Sequence, residues 1–117
     1  MKGSYQLHQN LLRSIQIEVQ KIYKDAIFFP LFSGLVQRQG DWIRIGIDGW
    51  PDLLVCIPIG KVLSVVAIEV KSGEGKLRKE QISFKKMWES RGGLHIVGRS
   101  VDQVLTEIEG WVQTCLN

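Results

Sequence analysis

Residues 49–71 read Gly-Trp-Pro-Asp-Leu-Leu-Val-Cys-Ile-Pro-Ile-Gly-Lys-Val-Leu-Ser-Val-Val-Ala-Ile-Glu-Val-Lys, and this stretch decides the fold. It contains two continuous apolar runs, 53–59 and 62–70, joined by Gly60-Lys61. Runs as apolar as these are typical of strands that are covered on both faces. A two-residue loop that begins with glycine favours a tight antiparallel hairpin. We therefore predict a buried β-hairpin over residues 53–70.

The predicted hairpin brings two carboxylates face to face. With a two-residue loop, the numbers of paired residues sum to 121, so Asp52 lies opposite Glu69. Directly opposed Cβ atoms are about 4.5–5.5 Å apart, and two unpartnered carboxylates there repel by roughly 3 kcal/mol at an effective dielectric of about 20. Either one of them is protonated or a cation lies between them. Pro58 could introduce a bulge that shifts this register by one residue.

Glu69 and Lys71 stand two residues apart on one predicted strand. Their side chains therefore point to the same face, while Val70 turns into the core. The carbonyl of Val70 could then join the two carboxylates around a hard cation, and oxygen ligands of this kind suit Mg²⁺ or Mn²⁺. An ammonium group beside such a site can position or deprotonate a water molecule. The simpler interpretation is a surface ion pair at the end of a strand.

The flanking segments complete the order α-β-β-β-β-β-α-β-α in one domain, residues 1–117. This order predicts an α/β (α+β) fold with a mixed central sheet flanked by helices. Hydrophobic periodicity predicts helices over 4–25 and 77–91, and a third helix that begins at the capping-box pattern of residues 100–103. The shorter strands are predicted at 26–31, within 37–47 and at 94–98.

Two polar side chains fall on predicted inward faces of helices. Gln81 shares the helical stripe of Phe84 and Trp88, and a buried amide needs hydrogen-bond partners. Because its helix follows closely after Lys71, Gln81 could orient Lys71 or the water, or it could bind backbone at the edge of the core. Glu18 lies on the predicted apolar face of the first helix, which indicates either a salt bridge or a role in the site.

Basic residues are concentrated in one region of a chain whose formal net charge is +3. Residues 71–91 hold seven basic and three acidic side chains, a local charge of +4, which leaves −1 for the rest. A basic zone of this kind indicates a polyanion partner, although a solvated helix face is the simpler alternative. The basic side chains closest to the predicted site strand are Lys76, Arg78, Lys79, Lys85 and Lys86.

The composition, 44% hydrophobic and 23% charged, is ordinary for a globular domain and excludes disordered or collagen-like classes. No apolar run approaches the roughly 18 residues of a membrane helix, and residues 1–9 lack a signal-peptide pattern. We expect a cytoplasmic protein with no membrane partner and no small-molecule cofactor. Cys56 and Cys115 are expected to be buried as small hydrophobic residues. His8 and His95 have no partner at a recognisable spacing and are expected to be structural or incidental.

Several of these segments together resemble a known family. The segments Gly49-Trp50-Pro51-Asp52, Ile68-Glu69-Val70-Lys71, Gly75-Lys76-Leu77 and Glu80-Gln81-x-x-Phe84 resemble the virus-type replication-repair nuclease (VRR-NUC) domain of the PD-(D/E)xK nucleases. Ser33-Gly34, residues 42–46 and Gly92-Gly93 also fit, so the resemblance covers roughly residues 29–104. Pro30 departs from the pattern, because a basic residue is expected there. The resemblance implies a restriction-endonuclease-like fold and a metal-dependent DNA endonuclease that hydrolyses phosphodiester bonds.

The resemblance also implies roles for individual residues. Asp52 and Glu69 would ligate Mg²⁺ or Mn²⁺ together with the carbonyl of Val70, Lys71 would assist the attacking water, and Gln81 would complete the site. Divalent ions in such sites hold the scissile phosphate, activate water and stabilise the leaving oxygen. The basic residues of the 76–86 region would contact DNA phosphates, which positions the duplex without reading its sequence.

The family usually carries a glutamate on its first helix, and Glu18 is the candidate for it. Stand-alone members look like phage or bacterial dimers similar to archaeal Holliday-junction resolvases. The resemblance therefore implies a homodimer that acts on branched DNA in repair, in a bacterial or phage-infected cell and close to the nucleoid. Two alternatives stay open: a catalytically inactive nucleic-acid-binding module on the same fold, and a protein-interaction domain with a merely solubilising basic helix.

Aromatic side chains offer apolar surface for the implied dimer. Some of them have no obvious place in one small core, although they could also pack under the loops. They are Phe28, Phe29, Phe32, Trp42 and Trp50.

Overall fold

The computed structural model describes residues 2–32 and 34–116, and its elements follow the predicted order. Ser33 of the predicted Ser33-Gly34 motif lies outside the described residues. The helices are α1 (Lys2–Ile22), α2 (Lys79–Ser90) and α3 (Val101–Leu116). The strands are β1 (Ile27–Pro30), β2 (Gly34–Arg38), β3 (Asp41–Ile45), β4 (Leu53–Ile59), β5 (Val62–Val70) and β6 (Leu94–Gly98).

The central sheet has the strand order β1-β4-β5-β6. The β1–β4 and β4–β5 pairs are antiparallel and the β5–β6 pair is parallel, so the sheet is mixed as predicted. Ile59 pairs with Val62 and Val55 with Val66, which confirms the register of the hairpin. Pro58 pairs with Leu63 without shifting that register. The two strands of the hairpin occupy the two central positions of the sheet because their side chains can be buried on both faces.

The two faces of the sheet are covered by different helices. Ile15 and Val19 of α1 pack with Val104 and Ile108 of α3 over one face, in a single apolar cluster. The other face carries α2, whose Phe84 ring lies 6.1 Å from the His95 ring on β6, measured between ring centroids. Side chains alternate along a strand. The β5 residues that turn away from the α1/α3 layer therefore point toward α2.

Glutamine side chains bind backbone groups just after the end of α1 and at the start of α2. At the end of α1, Gln20 Nε2 donates to the carbonyls of Tyr23 (3.4 Å) and Lys24 (2.8 Å), so α1 stops at Ile22 and not at residue 25. At the start of α2, Gln81 Oε1 accepts the Arg78 N–H at 2.8 Å. This capping contact satisfies an N–H that has no partner inside the helix. It starts α2 at Lys79, two residues later than predicted.

Strands β2 and β3 form a separate two-stranded hairpin. Its turn residues, Gln39 and Gly40, both have positive φ (52° and 86°), as in the type I′ turns that suit two-residue hairpins. All five residues of β3 are exposed. Strands were predicted within residues 37–47; the hairpin begins earlier, at Gly34, and its two strands pair with each other in a sheet of their own.

Two expectations about burial have different outcomes. Cys56 is buried on β4, but Cys115 is exposed, so its predicted burial was wrong. Cys115 lies in the last turn of α3, beyond the part of that helix that the sheet covers. No helix among residues 2–32 and 34–116 combines the length and the apolarity needed to cross a membrane.

The loop before β4 is pressed against the first turn of α2 at Gly49. This glycine has φ +91°, and a Cβ atom built there would lie 2.2 Å from the carbonyl oxygen of Glu80. Only glycine therefore allows the loop to approach the helix this closely. The contact holds the residues that precede Asp52 against the helix that carries Gln81.

We expect Gly49→Ala to lower the free energy of unfolding by about 1–3 kcal/mol more than Gly40→Ala does, because the new methyl group overpacks a backbone contact. Gly40 is a matched control: its φ is +86°, and a Cβ atom there would meet nothing within 4 Å. Both variants therefore carry the same backbone strain, and only one carries the clash. Urea unfolding measures the difference. Equal losses in the two variants would contradict the close approach.

Candidate active site

Asp52 lies between the buried Pro51 and the start of β4. Its Oδ2 accepts a hydrogen bond from the backbone N–H of Val70 at 2.7 Å. The same oxygen lies 3.2 Å from Nε2 of His8. The Asp52 carboxylate is thus fixed at the end of β5, beside the strand residue that it was predicted to face.

Glu69 is the most buried carboxylate of the site, with 3% of its surface exposed. Burial, reinforced by the Asp52 carboxylate and a hydrogen bond to it, raises the pKa of Glu69 to about 8, although Lys71 and Arg78 act in the opposite direction. The two carboxylates therefore lie close together at the end of the hairpin. Protonation of one of them, or a divalent cation between them, would each relieve the repulsion.

Lys71 points to the same face as Glu69, as the two-residue spacing predicts. Its Nζ lies 3.8 Å from Glu69 Oε2, and its side chain is 18% exposed. Val70, between them, is fully buried in the core. The backbone N–H of Lys71 donates to the Gly98 carbonyl at 3.0 Å, which anchors this end of β5 to β6. The arrangement leaves a cationic group with limited solvent access beside the carboxylate pair.

His8 joins this group from α1. One ligand atom each of His8, Asp52 and Glu69 lie within 4.8 Å of one another. His8 thus has a partner, Asp52, that its spacing in the sequence did not indicate. Helical spacing could have suggested its position, because residues 8, 15 and 19 share one face of α1 and Ile15 and Val19 are both fully buried.

Glu18 is not brought to this cluster. Its Oε1 is 3.0 Å from Lys21 Nζ one turn along α1, and its side chain is 40% exposed. Ile22, one turn after Glu18 on the same face of α1, is 56% exposed. The buried stripe of α1 runs through Ile15 and Val19, so the predicted face was rotated by about one residue. Of the two interpretations of Glu18, the structure contains the salt bridge.

Gln81 is buried, with 6% of its surface exposed. Its side-chain oxygen caps α2, as described above, which is the backbone-binding interpretation of this residue. Among the described residues, no hydrogen bond joins Gln81 to Lys71 or to either carboxylate. Its position at the first turn of α2, against the Gly49 loop, still puts it next to the segment that carries Asp52.

The predicted phosphate-binding residues fall into two groups. Arg78 lies close enough to lower the pKa of Glu69, and Lys76, Lys79 and Lys86 are exposed on the neighbouring loop and helix. Lys85 differs, because its Nζ is 2.7 Å from Glu89 Oε2 within α2. Most of the basic zone is thus open to solvent on the α2 side of the sheet, the side toward which Glu69 and Lys71 point.

The donor set fits a divalent cation. Two carboxylates and one imidazole converge. Burial and then the neighbouring Asp52 carboxylate raise the pKa of Glu69, and a cation would offset both effects. Carboxylate oxygens with one imidazole nitrogen are common ligands of divalent first-row metals. The residues present could therefore hold Mg²⁺ or Mn²⁺ at the junction of α1, the Asp52 loop and the end of β5.

A comparison with solved structures finds the same architecture in a chain described as a VRR_NUC domain. The two share 24% sequence identity, the match covers 82% of this chain and 91% of that one, and the TM-score is 0.55. No protein-family model matches the sequence, and the search of curated proteins finds no match. The chain therefore has the fold of a VRR_NUC domain, a mixed sheet flanked by helices of the restriction-endonuclease-like kind. This confirms the fold that the motif resemblance predicted.

We expect the metal-free protein to lose stability as the pH rises, and Glu69→Gln to remove part of that loss. A folded-state pKa raised from 4.5 to about 8 gives stability that is complete below about pH 4.5 and lost as Glu69 ionises near pH 8. The difference between wild type and variant should therefore grow by roughly 2–4 kcal/mol between pH 5 and pH 9. Urea unfolding in EDTA at several pH values measures it.

Glu18→Gln is the matched control, because it removes an exposed carboxylate of the same kind and should change the pH profile by less than about 0.5 kcal/mol. A Glu69→Gln profile parallel to that of the wild type would show that Glu69 ionises normally.

Proposed function

We propose that this chain is a metal-dependent DNA endonuclease of the PD-(D/E)xK type that uses Mg²⁺ or Mn²⁺. The observation that carries the proposal is the convergence of Asp52 and Glu69 at the end of the central hairpin, with Lys71 Nζ 3.8 Å from Glu69. Holding two carboxylates together in a largely buried site is unfavourable without a cation. The fold shared with a VRR_NUC domain supports a nuclease.

Each residue has a distinct task in the proposed reaction. Asp52, oriented by the Val70 N–H, and Glu69 hold the cation together with the carbonyl of Val70. When bound, the cation neutralises charge on the scissile phosphate and lowers the pKa of water. Lys71 orients the attacking water on the face that it shares with Glu69. Gln81 keeps the first turn of α2 in place beside the site.

The open basic zone is proposed to hold the DNA. Arg78 lies close enough to the carboxylates to lower the pKa of Glu69, and Lys76, Lys79 and Lys86 extend the positive surface along the loop and α2. Such residues bind phosphates of any sequence. Lys85 is proposed to contribute less, because its ion pair with Glu89 would have to open first.

A homodimer that cuts branched DNA is the finer form of the proposal. The β2–β3 hairpin leaves Trp42 66% exposed, and Leu35, Ile43 and Ile45 between 44% and 55% exposed. Leu35 and Trp42 lie on one face of this hairpin and Ile43 and Ile45 on the other, and exposed apolar side chains on both faces support an interaction surface here. A twofold dimer supplies two active sites through one interface, and a four-way junction needs two symmetric incisions.

The aromatic residues predicted to have no obvious place in the core differ in how far their side chains are exposed. Phe29 and Phe32 are about half exposed near the hairpin, whereas Phe28 packs against the core and Trp50 is half-buried. The dimer surface is therefore proposed to consist of the β2–β3 hairpin with Phe29 and Phe32 at its base.

We expect Asp52→Asn, Glu69→Gln and Lys71→Met each to reduce DNA cleavage by at least about a thousandfold while DNA binding is kept, because the cation and the water lose their ligands. A gel assay on linear, flap and four-way DNA, with Mg²⁺, Mn²⁺ or EDTA, measures cleavage. Asp25→Asn removes an exposed carboxylate outside the site and should cut normally. Near-wild-type cutting by Asp52→Asn would contradict the site, and binding without any cutting by the wild type would indicate an inactive binding module.

The double variant Trp42→Ser/Ile43→Ser should be monomeric and should lose its preference for four-way junctions, because both changes remove apolar area from the exposed hairpin. Light scattering at micromolar concentration measures the mass. Ile17→Ser, which changes a residue 49% exposed on α1, is the control and should leave the dimer intact. A monomeric wild type that cuts linear and branched DNA equally would contradict this part of the proposal.

A further inference from the structure

We propose that His8 is a third protein ligand of the cation held by Asp52 and Glu69, and that this imidazole makes the site prefer Mn²⁺ to Mg²⁺. The inference rests on the proposed function for the presence of the cation. It adds a residue outside the PD-(D/E)xK motif and a choice of metal, both of which come from the contacts of α1.

The positions of the three side chains suit a shared ion. Ligand atoms around one octahedral cation at about 2.1 Å are separated by about 3 Å when adjacent and about 4.2 Å when opposite. His8 Nε2 is 3.2 Å from Asp52 Oδ2, and the ligand atoms of all three residues lie within 4.8 Å of one another. Side-chain movements of less than about 1 Å would bring them around one ion.

The position of the His8 imidazole is set by the buried face of α1 and by the neighbouring Gln9 side chain. His8 lies on the face of α1 whose Ile15 and Val19 are fully buried, and its own side chain is only 27% exposed. The side-chain amide of Gln9 lies 3.5 Å from His8 Nδ1. Histidines that bind metals through one ring nitrogen usually donate the other N–H to a neighbouring acceptor, and the Gln9 amide oxygen can accept it after rotation of the amide.

The choice of metal follows from the nitrogen ligand. Mg²⁺ binds oxygen ligands almost exclusively and keeps several waters, whereas divalent transition metals accept imidazole readily. A carboxylate at position 8 would give Mg²⁺ an all-oxygen site. His8 therefore raises the affinity of the site for Mn²⁺ relative to Mg²⁺, while Asp52 and Glu69 still allow Mg²⁺ to bind.

The test uses the full chain without DNA and measures metal binding directly. Electron paramagnetic resonance follows the binding of Mn²⁺, and competition with Mg²⁺ gives the affinity ratio of the two ions. We expect His8→Gln to weaken Mn²⁺ binding about tenfold or more and Mg²⁺ binding by less than threefold. His8→Asp should bind Mg²⁺ more tightly than His8→Gln does and should lower the preference for Mn²⁺.

Pulsed electron paramagnetic resonance supplies a readout that requires no variant to fold. Mn²⁺ bound to the wild type should show coupling to an imidazole nitrogen, and the chain has only two histidines. The second, His95, is buried between β6 and α2. Absence of nitrogen coupling, or an equal loss of affinity for both metals in His8→Gln, would overturn the assignment.

The outcomes separate this inference from the proposed function. Cleavage of DNA by a wild type that lacks nitrogen coupling would overturn the role of His8 and leave the nuclease in place. Nitrogen coupling in a protein that cuts no DNA would support the His8 ligand and overturn the nuclease. A wild type that binds neither ion at millimolar concentration would overturn both.

Discussion

The hydrogen bond from the Val70 N–H to Asp52 Oδ2, 2.7 Å long, joins the loop before β4 to the last residue of β5. It holds one carboxylate beside a second, Glu69, whose surface is almost wholly buried. Burial, and then the repulsion between the two carboxylates, disfavours the charged pair and raises the pKa of Glu69. The hydrogen bond keeps these two carboxylates together although their pairing is unfavourable. Other contacts hold in place the two segments that the bond joins, the loop before β4 and the end of β5.

Close backbone approaches on both sides of the sheet provide that support. On the α2 side, Gly49 lets the Asp52 loop rest on the first turn of α2. On the α1/α3 side, a Cβ atom at Gly98 would lie 3.0 Å from the side chain of Val104, so β6 also lies tightly under α3. The Gly98 carbonyl in turn receives the Lys71 N–H. The candidate site therefore lies where both layers of the protein meet.

The central part of the fold could be predicted because it depends on short-range rules. A two-residue loop defines the register of β4 and β5, and that register places Asp52, Glu69 and Lys71 together without knowledge of any other element. The capping role of Gln81 was among the interpretations left open for the same reason, since a cap acts over three residues.

His8 could not be found in this way, because it reaches Asp52 across 44 positions and only the packing angle of α1 brings it there. The phase of α1 was also misjudged. Its apolar residues allow two neighbouring faces, and the fit against α3 decides between them, burying Val19 and leaving Glu18 to pair with Lys21. The strands of the β2–β3 hairpin were predicted, but their separation from the central sheet was not, because strand patterning does not reveal which sheet a strand joins.

The contact between α1 and α3 has a consequence for the newly made chain. Helix α1 is synthesised well before α3 but packs against it, and β5 needs the later strand β6 as its parallel neighbour. An unfinished chain on the ribosome therefore holds His8, Asp52 and Glu69 without the elements that bring them together. A translation product that stops before α3 should therefore carry the residues of the site but not the packing that brings them together.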